Sequence, residues 1–412
     1  MKAVPGTPSW LRETNDRTAL SLLLEHGTLT RNRLGELSGL SKPTASQMIV
    51  RLETLGLIHA VGEVSAGRGP SASSYAVRHD RVLGVAININ HQLVQSTVVD
   101  VLGTEYPVVE SALPKSARER DAVTDVTGAI REACAASGMP TSAVRMACVA
   151  VQGAVDPRND ELSFVEALPG WPRKGVRATL ENALGHAVFI DNDVNLAAVA
   201  ERRHGSGADA DSFALLWLGE GLGLAVDLGG SVHRGASGRA GEIGYLKVPA
   251  AASGLDPEAK DLQDLVGASG LAGVGRAHGL RKRNYQALIA ALPTHPHRDQ
   301  IFTELAPRVA AGVTAVLAVL DPGRIVLGGP TSAVGGRKLA EAVQTFIRHD
   351  SRWSPEIVTS TVPDHPVLRG AHDLLVTEVR EMLIGHVNVV AAPSAPSHPI
   401  RTASFTNSEV HQ

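Results

Sequence analysis

Apolar positions spaced three and four apart open the chain. Leu20, Leu23 and Leu24 share one helical face that Gly27 closes, with Asp16 as the expected cap and residues 1–10, carrying two prolines and a glycine, as a flexible arm. Thr30 is placed to cap a second short helix, Leu34 and Leu37 inward, before Gly39 turns the chain. Ser41 caps a third, with Pro43 in the first turn, where a missing N–H costs nothing. In that helix Ala45, Met48, Ile49 and Leu52 fall at i, i+3, i+4 and i+7, which turns Thr44, Gln47 and Arg51 to the opposite face and leaves Lys42 and Ser46 near its start. Short strands at 57–61 and 74–77 then flank a Gly/Arg/Pro tip that contains Arg68. Three short helices followed by a two-stranded wing predict a winged helix-turn-helix over residues 11–80.

From residue 81 to 390 the pattern changes to short apolar runs alternating with helical stretches. A strand, a polar turn and a strand occur at 82–101 and recur at 213–228, an internal repeat that predicts two half-domains facing each other across a cleft. Between and after them come helices at 121–137, 176–184, 195–204, 301–320, 338–348 and 366–383, and strands at 144–151, 187–190 and 325–327. The tail, 391–412, is rich in Ser, Pro and Thr and is expected to be disordered.

Composition adds few constraints. With 412 residues, 43% hydrophobic content and a net charge of −3, the chain is long enough for a sizeable core and is not a polyanion binder by bulk charge. Its two cysteines, Cys134 and Cys148, sit in apolar surroundings and make no disulfide framework, which suits a reducing cytosol. No signal core is apparent, and a cytoplasmic protein without a membrane segment is expected.

Local charge matters more. Residues 11–78 hold eight Lys/Arg against six Asp/Glu, and 41–51 hold no acid. Short hydrogen-bonding side chains at the start of the third helix suit base edges in a major groove. The candidate contacts with a double-stranded DNA operator are therefore Ser41, Lys42, Thr44, Ser46, Gln47 and Arg51, with Arg68 at the wing tip. A three-helix interaction module with a solvated polar face is the alternative. Paired half-sites would call for a homodimer or higher homo-oligomer.

The second candidate site is Asp191–Asn192–Asp193, at the end of a short strand, with the glycine-rich turn Gly219–Gly223 and the segment GRAGEIGY at 238–245. Polar groups at strand ends beside helix starts are where open α/β folds place ligands.

Five segments in order, VAVQGAVDP at 149–157, ALPGW at 167–171, IDNDVNLAAVAERRHG at 190–205, GRAGEIGY at 238–245 and LDPGRIVLGG at 320–329, resemble the ROK family of repressors, open reading frames and sugar kinases. With the winged helix in front, residues 16–383 resemble its transcriptional regulators. The resemblance implies an actin-like, hexokinase-like duplicated α/β domain that binds a sugar between its halves. It implies sugar contacts from Asn192, Asp193 and Glu242 and close backbone approach at Gly153, and it puts Asp193 at the kinases' base position. Tyr245 and Gln263 stand where the family has a zinc-ligand His and the Glu that follows the last Cys of its zinc loop, and both can still hydrogen-bond a ligand.

The departures shape the expected function. Ala86, Asn88, Ile89 and Asn90 replace the family's Asp-x-Gly-Gly-Thr phosphate loop, and Glu220 and Leu224 interrupt the second. Ala167 stands at a hydroxyl-binding Asn position, and no cysteine follows Cys148 to build a zinc loop. The expectation is a regulator, most simply a repressor, with no catalytic residue, cofactor or metal, answering to a sugar or sugar phosphate. Its rivals are an active sugar kinase with a fused DNA-binding domain, and a regulator answering to a protein partner with a vestigial pocket.

Overall fold

The computed structural model describes residues 7–64, 72–90, 92–114, 116, 119–164 and 168–388. Arg68 and the wing tip, Ala167, and the tail from 391 lie outside the described residues. The chain divides into two compact units, one ending at Arg81 and resuming at Arg380, the other spanning Val82–Val379. Sequence reasoning placed 81–390 in a single domain. The difference lies at the C-terminal end, where the closing segment groups with the N-terminal unit.

The first unit runs α1 (Pro8–His26), β1 (Leu29–Thr30), α2 (Arg31–Ser38), α3 (Lys42–Thr54), β2 (Ile58–Val64) and β3 (Ala72–Val77). The strands form an antiparallel sheet in the order β1-β3-β2, the winged helix-turn-helix arrangement. Thr30 and Ser41 cap α2 and α3 through their hydroxyls. Leu20, Leu23, Leu34, Met48 and Leu52 fill the core.

Two expectations about α1 are corrected. Thr7, not Asp16, caps it, its hydroxyl accepting the Trp10 N–H at 3.3 Å, so residues 8–10 are helical and not part of an arm. Asp16 lies in mid-helix, buried, and accepts the Arg51 guanidinium through Nε at 3.0 Å and Nη2 at 2.6 Å.

The second unit is a duplication. Its first half comprises β4 (Leu83–Ile89), β5 (Leu93–Val99), β6 (Val109–Ala112), α4 (Ala122–Ser137), β7 (Val144–Val151), the small hairpin β8 (Ala154–Asp156) and β9 (Glu161–Ser163), α5 (Val176–Leu184), β10 (Ala187–Asn192) and α6 (Asp193–His204). The second half comprises β11 (Ser212–Leu218), β12 (Leu222–Leu228), β13 (Ser231–Val232), α7 (Leu262–Val266), α8 (Ala268–Ala277), α9 (Tyr285–Ala291), α10 (Arg298–Leu320), β14 (Arg324–Gly328), α11 (Gly329–Asp350) and β15 (Glu356–Thr359), after which α12 (Pro366–Gly385) returns to the first half, Leu375 lying against Gly84 of β4, and runs past the unit's end at Val379. The two five-stranded sheets have equivalent orders, β6-β5-β4-β7-β10 and β13-β12-β11-β14-β15. In each, three antiparallel strands are followed by two parallel ones. This is the actin-like, hexokinase-like architecture.

The parallel strands are covered on both faces, which is why 144–151 reads as a continuous apolar run and not as an alternation. Val85, Ile87 and Val149 pack with Val126 and Ile130 of α4, and Leu216 and Leu327 share a second core with Leu305 and Val309 of α10. Each such side chain contributes about 1.5–3 kcal/mol. Among the described residues α10 alone is long and apolar enough to cross a bilayer, contrary to the expectation that no segment would be. Here it is a core helix, with buried Arg308 near its middle. Cys134 and Cys148 are free and buried, and burial pushes both thiols up.

Candidate functional site

A cavity of about 520 Å³ opens between the halves of the second unit. β7 and β10 run parallel with Val151 opposite Asn192, so their carboxyl ends deliver Gln152 and Gly153 beside Asn192 and Asp193. Trp217 and the Gly219–Glu220–Gly221 turn between β11 and β12 line the cavity as well. Glu242 and Tyr245 come from the short turn of helix that follows, and Gln263 from α7. All six residues proposed for the effector, Gly153, Asn192, Asp193, Glu242, Tyr245 and Gln263, thus line one cleft.

Two glycines set this geometry. Gly153 has φ 145°, and Gly241 has φ 93°, where a Cβ would stand 2.0 Å from the Leu224 carbonyl oxygen. Any side chain at 241 would push Glu242 away from the cleft.

Asn192, not Asp193, caps α6: its Oδ1 accepts the N–H groups of Val194 (2.8 Å) and Asn195 (3.1 Å). Its amide nitrogen donates to the Gly153 carbonyl at 3.0 Å, which ties the two strand ends together and leaves one amide hydrogen for a ligand. Asp193 occupies the first turn of the helix, where the Val194 N–H favours its charged form. Burial outweighs that help, and with Glu242 nearby it pushes the carboxyl up to about 7. Burial raises Glu242 too, with Arg239 pulling the other way. Asp191, two residues before Asp193, is held by Arg234 at 2.6 Å.

The lining residues not assigned to the effector from the sequence include Gln152, Phe164, Trp217 and Glu220. Phe164 adopts φ 58°, a strained conformation for a bulky residue, and its ring lies 4.7 Å from that of Tyr245. A tryptophan one residue before the end of an apolar run that breaks at Gly219 was the signal available in a chain with four tryptophans.

The turn after β4, aligned with the family's first phosphate loop, is closed by its own side chains. Asn90 Oδ1 accepts the N–H groups of Gln92 (2.8 Å) and Leu93 (2.9 Å), and the Asn88 amide donates to Gln95 at 3.0 Å. The residues between Tyr245 and Gln263 do not fit zinc either. Asp256 and Asp261 are the aspartates there, Asp256 paired with Arg308 at 2.9 Å and Asp261 capping α7. Among the described residues no group of three or more His, Cys, Asp or Glu is placed to hold a metal ion. Arg308 also donates to the Leu255 carbonyl at 2.8 Å, and an isolated bridge pairs Lys247 with Asp261. The loop is thus fastened by a guanidinium.

The other candidate site is α3. Ser41, Lys42 and Gln47 are exposed, and Thr44 and Ser46 are half-buried. Arg51, 31% exposed, has its guanidinium engaged by Asp16 of α1 at 2.6 Å, so here it braces the helices against each other. The exposed row instead runs through Gln47 to Val50, which is 61% exposed and was not singled out.

The profile of the ROK family matches residues 115–378. The chain is 22% identical over 248 residues to the xylose repressor of Bacillus subtilis, covering 58% of this chain and 62% of the relative. It is 30% identical over 233 residues to the bifunctional enzyme NanE/NanK of Brucella suis, covering 56% of this chain and 43% of that protein. The chain thus spans about three fifths of the length of the repressor relatives it matches. Among solved structures, a ROK family transcriptional regulator described as a homologue of the E. coli MLC protein superposes with TM-score 0.61 at 18% identity, covering 92% of this chain and 99% of that one. A ROK family glucokinase from Streptomyces griseus, in complex with glucose and AMPPNP, superposes with TM-score 0.57 at 22% identity, covering 71% and 98%.

Proposed function

The chain belongs to the ROK family, and from that premise we propose that it is a DNA-binding transcriptional regulator, a repressor, controlled by a sugar-class effector in the cleft at Asp193. The observation that carries this reading is one chain joining a winged helix-turn-helix to a cleft whose carboxylates and amides suit several hydroxyls at once. The repressor relatives support the same reading. An effector regulates only if it binds two conformations with different affinity, so opening and closing of the cleft is the proposed switch. A homodimer reading paired half-sites is the proposed assembly.

Sugar phosphorylation is disfavoured. Backbone approach to a phosphate needs bare glycine, and the turn after β4 is filled by Asn88 and Asn90. In the second loop Glu220 presents a carboxylate where a triphosphate would lie, and like charges repel. A coupled assay of ATP consumption across hexoses and pentoses is expected to show no turnover. Turnover abolished by Asp193→Ala would make the protein a kinase. Gel shifts with and without a sugar panel test regulation directly, and release of operator by no compound would favour control by a protein partner.

At the DNA end, Gln47 and Val50 are the proposed base-reading pair. Gln47→Ala is expected to cost about 1–3 kcal/mol of operator affinity. A bare valine suits the methyl group of thymine, so Val50→Ala is expected to cost about 1 kcal/mol. Replacing that thymine by uracil in a duplex chosen by in vitro selection should reproduce the loss in the native protein and add nothing in Val50→Ala. Equal affinity of the native protein for both duplexes rules out the methyl contact.

A further inference from the structure

The charges around the cleft narrow the effector beyond hydroxyl recognition. Asp193, Glu220 and Glu242 line it, and among the described residues no Lys, Arg or His does. Arg239 acts on Glu242 from outside the lining, and Arg234, also outside it, acts on Asp191; both are engaged. Arg234 is bound to Asp191 at 2.6 Å, and Arg239 donates to the Ser163 hydroxyl at 3.2 Å and lies 5.7 Å over the Phe164 ring. Burial raises both Asp193 and Glu242, Arg239 offsets it only in part at Glu242, and the charge of Glu242 raises Asp193 further, as expected where carboxylates crowd away from water.

An anionic ligand entering here meets carboxylates and no cation. An uncharged sugar can use Asp193 and Glu242 as hydroxyl acceptors but leaves the third carboxylate unneutralised. A cation answers all of them, and the Phe164–Tyr245 ring pair with Trp217 adds aromatic faces that also attract positive charge. Resting on the effector reading above, we propose that the cleft takes a polyhydroxylated ligand carrying a protonated primary amine, an amino sugar in its free-amine form, and rejects phosphorylated sugars.

Titration calorimetry of the full chain with four matched sets tests this: hexoses, their 2-amino-2-deoxy forms, the N-acetyl derivatives and the hexose 6-phosphates. A free-amine form should bind at least about tenfold tighter than its parent hexose and its N-acetyl derivative, and the phosphates should not bind measurably. Glu220→Gln and Glu220→Thr, at an exposed position, should each remove the advantage of the amine. Parent hexose or phosphate binding as tightly as the amine overturns the charge argument and leaves the effector reading standing. An amine advantage that survives both substitutions overturns the role of Glu220 and with it the proposal. Binding by no member of the panel overturns proposal and effector reading together.

Discussion

Replacing Asp193 with asparagine is expected to weaken effector binding by about 10- to 100-fold and to abolish effector-driven release of operator. The magnitude follows from hydrogen bonds to the ionised form of this carboxyl, each contributing about 1.5–3 kcal/mol, so it is expected in full above about pH 7. The same variant carries a pH signature. The native Asp193 carboxyl, pushed up from 3.8 to about 7, holds its proton where the unfolded chain has lost it. Stability from this group is therefore greatest at low pH and falls as pH rises between those two values, levelling off above about 7. Melting temperatures measured across that range should show this slope in the native protein and lose it in Asp193→Asn. An identical slope in both proteins would show that Asp193 titrates normally. Retained effector affinity would move the binding site elsewhere.

Asp16→Ala is expected to destabilise the first unit by about 3 kcal/mol. The Asp16 side chain is 6% exposed and that of Arg51 31%, so removing the carboxylate strands a guanidinium that reaches water only in part. Against a total of about 5 kcal/mol for a unit this small, that is enough to leave much of it unfolded and unable to shift DNA. Arg51→Ala should do similar damage, and Arg51→Lys should rescue little, because a lysine cannot form the two-pronged contact. Urea unfolding followed by circular dichroism, beside gel shifts, separates the possibilities. If Arg51→Ala unfolds like the native protein but loses operator binding, Arg51 is a DNA contact after all.

That pair also marks where sequence reasoning ran out. The four apolar positions Ala45, Met48, Ile49 and Leu52 were legible because one helix face must bury them, and the structure buries all four. Asp16 before an apolar run looks locally like a cap. Its partner lies 35 residues away, and a distant ion pair leaves no local trace. The helical wheel could identify the face of Arg51 but not that a carboxylate waits there.

In the second unit the repeat was legible because β4–β5 and β11–β12 each set a polar turn between apolar runs. The edge strands β6 and β13 are short and partly exposed and gave no pattern. The first part of α11 was missed because Gly336, at φ 58°, kinks the helix and breaks its periodicity. The strand-end groups of the cleft were legible as motifs. Trp217 and Phe164 were not assigned to it, and Glu220 only as part of the Gly219–Gly223 turn, since tertiary folding brings those segments to the same cavity.

The loop between Tyr245 and Gln263, which contains no cysteine or histidine, is fastened by Arg308 through Asp256 and the Leu255 carbonyl. Thiolate-held metal loops loosen when a cell is oxidised or starved of zinc. A loop latched by an arginine has no such thiolate or metal contact to lose, so its fastening is expected to be indifferent to oxidants and chelators.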